Sequence, residues 1–222
     1  GTLIDSYDLS KLALLSLRPE RGSQKRLVEG QSVRDSFPSR SSFLSFNVLD
    51  IPKRLRRPTQ SNARVMEPIS IPLAPYGGLL FATSILRRVG YPDDRLFVYE
   101  DDTEFTYRFG QAGIAIFLIP TSTIMELELS WYPATKGRSV FSRLLLADSD
   151  FRVYYTVRNR VYFEKRFWLR NRFLYEVNKR LFLAALLLAR VRTGKRLRHA
   201  MILAAVQDGE LGKLGILEDA EA

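Results

Sequence analysis

The stretch from Tyr76 to Glu126 constrains this chain most, because the spacing of its apolar residues changes period within a few turns. Arg95-Leu96-Phe97-Val98-Tyr99 is a short apolar run rich in β-formers and predicts a strand. The acidic run Glu100-Asp101-Asp102-Thr103-Glu104 follows. Phe105, Arg108, Phe109 and Ala112 then recur at helical spacing until Gly113 stops the helix. Ile114 to Ile119 is apolar and predicts a buried strand. The carboxylates therefore lie where a strand hands over to a helix. An acid at a helix start caps exposed N–H groups and suits the positive end of the dipole. One cap does not need four carboxylates, and crowded acids repel unless a cation or a transferable proton sits among them. From the residues alone, a functional cluster and a solvated helix cap both stand.

Several short pieces follow one another in a fixed order. They are Gly77-Gly78-Leu79-Leu80-Phe81, Leu86-Arg87-Arg88-Val89-Gly90-Tyr91-Pro92, Phe97-Val98-Tyr99-Glu100-Asp101-Asp102-Thr103-Glu104-Phe105, Arg108, Gly113 and Pro120. This succession resembles the second half of a family 2 glycosyltransferase of the GT-A type, the inverting enzymes that build bacterial polysaccharides. Rhamnosyl- and galactofuranosyltransferases are the nearest look-alikes. The likeness covers roughly residues 40–160, with echoes to about 215, and rests on order and spacing rather than on any one piece.

The resemblance implies an α/β fold, a partial GT-A-type mixed sheet with flanking helices followed by an α-helical C-terminal extension. Residues 1–130 would be the acceptor-side half of the catalytic domain, and 131–222 a basic, aromatic-rich helical extension. The implied activity is transfer of a sugar from a nucleotide-sugar donor to a glycan or lipid-linked acceptor with inversion. Aligning Arg108 with the family's arginine puts Asp102 on the aspartate that takes the proton of the attacking hydroxyl. Such a transfer is a one-step displacement at the anomeric carbon, so the acceptor oxygen must lose its proton as it attacks. A fixed carboxylate does this, with an effect of ~10²–10⁴-fold. Asp101 and Glu104 would shape the acceptor pocket, while Arg108, one turn beyond Glu104, would pair with it and orient the cluster. Gly77 and Gly78 would line the cleft between donor and acceptor, and Trp131 joins the substrate-binding set. Paired glycines leading into a strand let backbone approach another object closely, or form a β-bulge.

The family also implies a divalent cation, Mg²⁺ or Mn²⁺. Many relatives carry a histidine six residues after the equivalent of Pro120, where this chain has Glu126. A carboxylate oxygen suits either ion. Glu126 equally fits the polar side of a half-buried strand over Thr121 to Leu129, and the two readings remain open.

The rest of the chain is less specific. Leu9 to Leu17, closed by Arg18-Pro19, predicts a short helix. Arg18 to Pro38 reads as an exposed loop. Ser42 to Leu49 alternates and predicts a strand; Val65 to Leu73 predicts a proline-interrupted one that must be an edge or bent. Thr83 to Val89 predicts a helix capped by Thr83 or Ser84 and stopped by Gly90, with Arg87 and Arg88 solvated. Tyr154-Tyr155-Thr156-Val157-Arg158-Asn159 is similar to the "YY..RN" helix that follows the catalytic domain in these enzymes. Leu211-Gly212-Lys213-Leu214-Gly215 echoes a family tail, and His199 reads as a surface helix residue.

Charge and composition narrow the classes. Aromatic content of 12% and hydrophobic content of 46% fit a folded protein. Without cysteine there are no disulfides or thiolate metal sites, and a single histidine excludes His-rich ones. Of the +10 net charge, Trp131 to Ala222 holds 18 basic and 9 acidic residues, against 16 and 15 before it. Leu181 to Ala189 is nine apolar residues, far short of the ~20 that span a bilayer. A basic amphipathic helix lying on an anionic membrane surface fits better, as does a helical layer with a solvated basic face. The expected location is cytoplasmic, peripheral at the inner face of the cell membrane, since Gly1 to Ser10 lacks the pattern of a signal peptide. A nucleic-acid partner is not expected, because phosphates avoid an acidic cluster.

Relatives open with a strand–loop–helix half that holds the nucleotide, and neither it nor its aspartate-rich metal motif is recognisable here. Asp5 and Asp8 lie too far apart, on what reads as a non-strand segment, to replace it. No Gly-rich phosphate loop is present. The chain therefore reads as the acceptor-side half, working with a separate nucleotide-binding half, or as a non-catalytic membrane- or partner-binding remnant.

Overall fold

The computed structural model describes residues 8–52, 64–125 and 140–217. Two compact units emerge. The first comprises Gly1–Phe37, Arg57–Asp93 and Asp101–Ser130; the second comprises Pro38–Arg56, Asp94–Glu100 and Trp131–Ala222. The first is a mixed four-stranded sheet with flanking helices and the second is helical, so the chain is α/β with a helical C-terminal region.

In the first unit β1 (Leu12–Leu17) is central. It pairs in parallel with β4 (Ala115–Thr123), Leu15 opposite Leu118, and antiparallel with β3 (Leu79–Phe81), Leu14 opposite Leu80. The other edge, β2 (Ile69–Ile71), pairs antiparallel with β4. The proline-interrupted segment is thus an edge, as its composition requires. Pro120 itself lies inside β4, at the point where the register against β1 slips between Ser16 and Leu17. A bulge accommodates a residue that has no N–H to offer the ladder.

The helix predicted over Leu9–Leu17 is instead a single 3₁₀ turn, Leu9–Lys11, capped by Asp8, followed by β1. The leucine-rich run fits either period over so short a length. Two neighbouring strands decide it, and Ala13, Leu15 and Leu17 bury the alternate face. Against that face pack helices α1 (Gly22–Val28), α3 (Ser84–Val89) and α4 (Asp101–Gln111), with α2 (Val33–Ser36) beside α1. Leu27, Ile85, Phe105 and Phe109 fill the interface, and the Phe105 and Phe109 rings meet edge to face at 4.9 Å.

Two further predicted strands are not strands, and both belong to the second unit. Ser42–Leu49 folds into a tight turn closed by a Phe43–Phe46 bridge, with Leu44 and Ser45 at φ 47° and 62°. Arg95–Tyr99 becomes a 3₁₀ turn, Asp94–Leu96, followed by Phe97, Tyr99 and Glu100, all in the left-handed region. Non-glycine residues there cost free energy and persist only when held. Asn159 does the holding, its Nδ2 donating to the carbonyls of Leu96, Val98 and Tyr99 at 2.6, 2.7 and 3.0 Å.

The C-terminal helices of this unit, among the described residues, are α5 (Val140–Leu145), α6 (Asp150–Phe163), α7 (Arg172–Thr193) and α8 (Arg196–Leu211), with a π turn at Glu164–Trp168. Ser149 and Asn171 cap α6 and α7, and left-handed Gly194 and Gly212 end α7 and α8. Helices α6 and α8 approach so closely that a Cβ on Gly209 would clash with the carbonyl oxygen of Arg158. His199 is buried on α8 rather than at the surface, and burial lowers its pKa. Among the described residues no helix is long and apolar enough to cross a membrane.

Candidate functional site

The parallel strands β1 and β4 end side by side at Leu17 and Thr123. In open α/β sheets ligands bind beyond the carboxyl ends of parallel strands. Three features gather at this end of the first unit. Ser16 and Ser122 share a hydroxyl hydrogen bond of 2.9 Å. The glycine pair enters β3 there, Ser16 N–H donating to the Gly78 carbonyl at 3.0 Å. Helix α4, which turns back through Gly113 into β4, presents its first turn toward the same end.

The acidic run begins α4 as the sequence predicts. Within it the carboxylates differ in use. Glu104 is 4% exposed, and Arg108 clamps it through two bonds, Nε to Oε1 at 2.9 Å and Nη2 to Oε2 at 3.0 Å. Arg108 also donates to the carbonyls of Val89 and Tyr91, so it ties the end of α3 to α4. The expected Glu104–Arg108 pair is present. Held by Arg108 through both oxygens, the buried Glu104 fixes the start of the helix. Asp101 and Asp102 are half-buried. The Oδ1 of Asp102 accepts the Thr103 N–H at 2.7 Å, a bond that caps the first turn. Glu100 belongs to the second unit, where it meets Arg160 at 2.9 Å.

Tyr76, next to the glycines, comes to these acids. Its ring lies 6.0 Å from Phe105, and its hydroxyl lies within the field of Asp101 and Asp102. Burial first, then the charges of Asp101 and Asp102, hold its pKa well above the usual phenol range, so it stays a neutral donor. Thr106 fixes this approach. Its buried hydroxyl accepts the Ala74 N–H at 3.0 Å and donates to the Asp102 carbonyl at 2.8 Å. Neither Tyr76 nor Thr106 stands out in the sequence, where an aromatic before Gly-Gly and a mid-helix threonine are ordinary.

Gly78 is required by the protein's own backbone, while Gly77 leaves room for a side chain once the flexible end of Arg18 shifts. Gly78 has φ 84°, and a Cβ there would meet Ile124 at 2.6 Å; at Gly77 it would meet the Arg18 guanidinium at 2.8 Å. Backbone does approach closely here, with a cation and the carboxyl end of β1 as the objects approached. Trp131 and Glu126 lie outside the described residues.

A divalent cation needs several oxygen ligands converging on one point. Among the described residues no three Asp, Glu or His side chains gather in that way. They do not by themselves make the cation site that the family resemblance implies. Comparison with protein-family models, curated proteins and solved structures gives no match for this chain.

Proposed function

We propose that this chain supplies the acceptor side of an inverting glycosyl transfer from a nucleotide-sugar donor to a glycan or lipid-linked acceptor. Asp102 is the base. The acceptor oxygen attacks the anomeric carbon, its proton passes to an Asp102 carboxylate oxygen, and the bond to the nucleoside diphosphate breaks with the electron pair leaving on phosphate. Asp101, with Tyr76 beside it, is set to orient acceptor hydroxyls. The nucleotide is held by a separate half. The membrane surface enters as the place where such an acceptor is met.

What supports the reading most is the convergence of Tyr76-Gly77-Gly78 with Asp101 and Asp102 beyond the carboxyl ends of β1 and β4. The test is release of nucleoside diphosphate from a panel of UDP- and dTDP-sugars, with the nucleotide-binding half supplied. Asp102→Asn should lower turnover ~10²–10⁴-fold with the fold intact. Equal turnover by the variant would sink the assignment. A second reading, a non-catalytic remnant, is favoured by the Asp102–Thr103 cap. On that reading Asp102→Asn alters only stability.

A further inference from the structure

Helix α7 is apolar on two opposite sides. Tyr175, Asn178, Phe182 and Leu186 are buried in the core of the second unit. Phe173, Leu181, Leu188 and Val191 point outward, exposed by 78%, 44%, 63% and 70%. At 3.6 residues per turn the centres of the two stripes lie roughly 150° apart. One stripe explains the helix's place in the fold, and the other is left facing water. Soluble surfaces seldom carry so long an apolar strip without a partner. Leu197, at the start of α8, is 88% exposed and prolongs it along the chain.

Charge selects the occupant. Between Glu164 and Asp208 there are eleven lysines and arginines and one acid, Glu176. Lys179 and Arg198 are committed to Glu210 and Asp150. Arg172, Arg180, Arg192, Lys195 and Arg196 are exposed along α7 and at its end. The spacing of Val177, Leu181, Ala184, Leu188 and Val191 would also suit a coiled-coil seam with a second copy. Two copies would, however, bring these cations together with only Glu176 to offset them. An anionic bilayer turns the same charges into an attraction, while long basic side chains reach up to the phosphates as the apolar stripe sinks in.

We propose that the outer face of α7 seats this protein on an anionic lipid surface, with Phe173, Leu181, Leu188 and Val191 at the boundary of headgroups and acyl chains. This gives the peripheral location a particular face and stands whether or not Asp102 is a base. The experiment is flotation of the full chain with vesicles of phosphatidylcholine alone and with phosphatidylserine added. The protein should float with the anionic vesicles only. The double substitution Leu188→Glu, Val191→Glu should weaken binding at least about tenfold, since both side chains lose their apolar seat. Arg180→Gln should weaken it about fivefold. Both acidic substitutions fall on exposed positions, so helix content by circular dichroism should be unchanged. Absence of binding to anionic vesicles overturns the proposal, as does binding that the double variant leaves intact. A dimer that this variant returns to monomer overturns it too, in favour of a second copy. No sugar transfer enters the readout, so failure here is distinct from failure of the catalytic reading.

Discussion

The two units satisfy their buried backbone in different ways. In the first, the sheet ladder does most of it, and among the described residues the buried polar side chains are few: Gln24, Ser36, Glu104 and Thr106. The second takes in two stretches with little regular structure, residues 38–50 and Asp94–Glu100. Their N–H and C=O groups must find partners inside the protein. Ser41, Ser42, Arg158, Asn159, Glu164 and Asn178 are accordingly buried there. Asn159 holds three carbonyls of the second stretch. Glu164 accepts from Ser42 Oγ and from the N–H groups of Leu44 and Ser45 at 3.0, 2.6 and 2.9 Å. Asn178 donates to the Ser41 carbonyl and accepts from Val48 N–H, both at 2.9 Å. A helical layer that swallows irregular chain does so at the cost of a polar interior.

The contrast can be broken most forcefully at Asn159. Asn159→Ala leaves three carbonyls of a left-handed segment without their donor, and should destabilise the second unit by about 3 kcal/mol or more. Urea unfolding followed by Trp168 fluorescence measures this. A loss under about 1 kcal/mol would mean that the segment holds itself.

Glu164 sharpens the comparison through pH. Burial pushes its pKa from 4.5 to about 7, against the pull of Arg160 and of the Ser45, Leu44 and Ser42 donors. The folded state therefore binds a proton more tightly than the unfolded one. That contribution is complete below the unfolded value and is lost as pH rises through the folded one. The Trp168 transition should weaken by at most roughly 3 kcal/mol between about pH 5 and about pH 8. Glu164→Gln should flatten this dependence. A midpoint that does not move with pH would contradict the buried, protonatable state.

The smallest effect belongs to the first unit. Thr106→Val removes one hydroxyl that bridges Ala74 to α4, and should cost about 1–2 kcal/mol in thermal unfolding. Tyr76 should at the same time become easier to ionise, read by its ultraviolet titration, as the strand approach slackens. An unaltered titration would show that Thr106 does not set the Tyr76–Asp101 contact.

What the sequence made legible follows the same division. The start of α4, its end at Gly113, α3 with its Gly90 stop, and the Glu104–Arg108 pair depend on partners close in the chain, while β4 and the edge position of β2 are legible from an unbroken apolar run and from prolines that bar a central place. Strand β1 was misread because Leu12–Leu17 suits two periods and both of its neighbours lie far along the sequence. Arg95–Tyr99 and Ser42–Leu49 look like strands because their apolar residues are real. Their conformation, though, is set by Asn159 and Glu164, about sixty and one hundred and twenty residues away. The "YY..RN" helix was visible as a motif, but its job was not. Tyr154 bonds Asp208, Arg158 bonds the Gly215 carbonyl, and Asn159 bonds the strained turn. At the site, Asp101 and Asp102 were legible from charge, while Tyr76, Thr106 and Arg18 emerge only once the strands are paired.

The interleaving of the two units along the chain decides where the polypeptide tolerates a cut. Cleaving near residue 130 would not release two self-sufficient pieces. The C-terminal product would lack Phe43, which stacks edge to face on Tyr175 and Phe182, and the carbonyls that Asn159 serves. It would carry an interior already lined with amides and carboxylate but emptied of the backbone they were placed to meet. For a protease or a gene fusion, the seam obvious from charge is therefore the wrong place to divide this molecule.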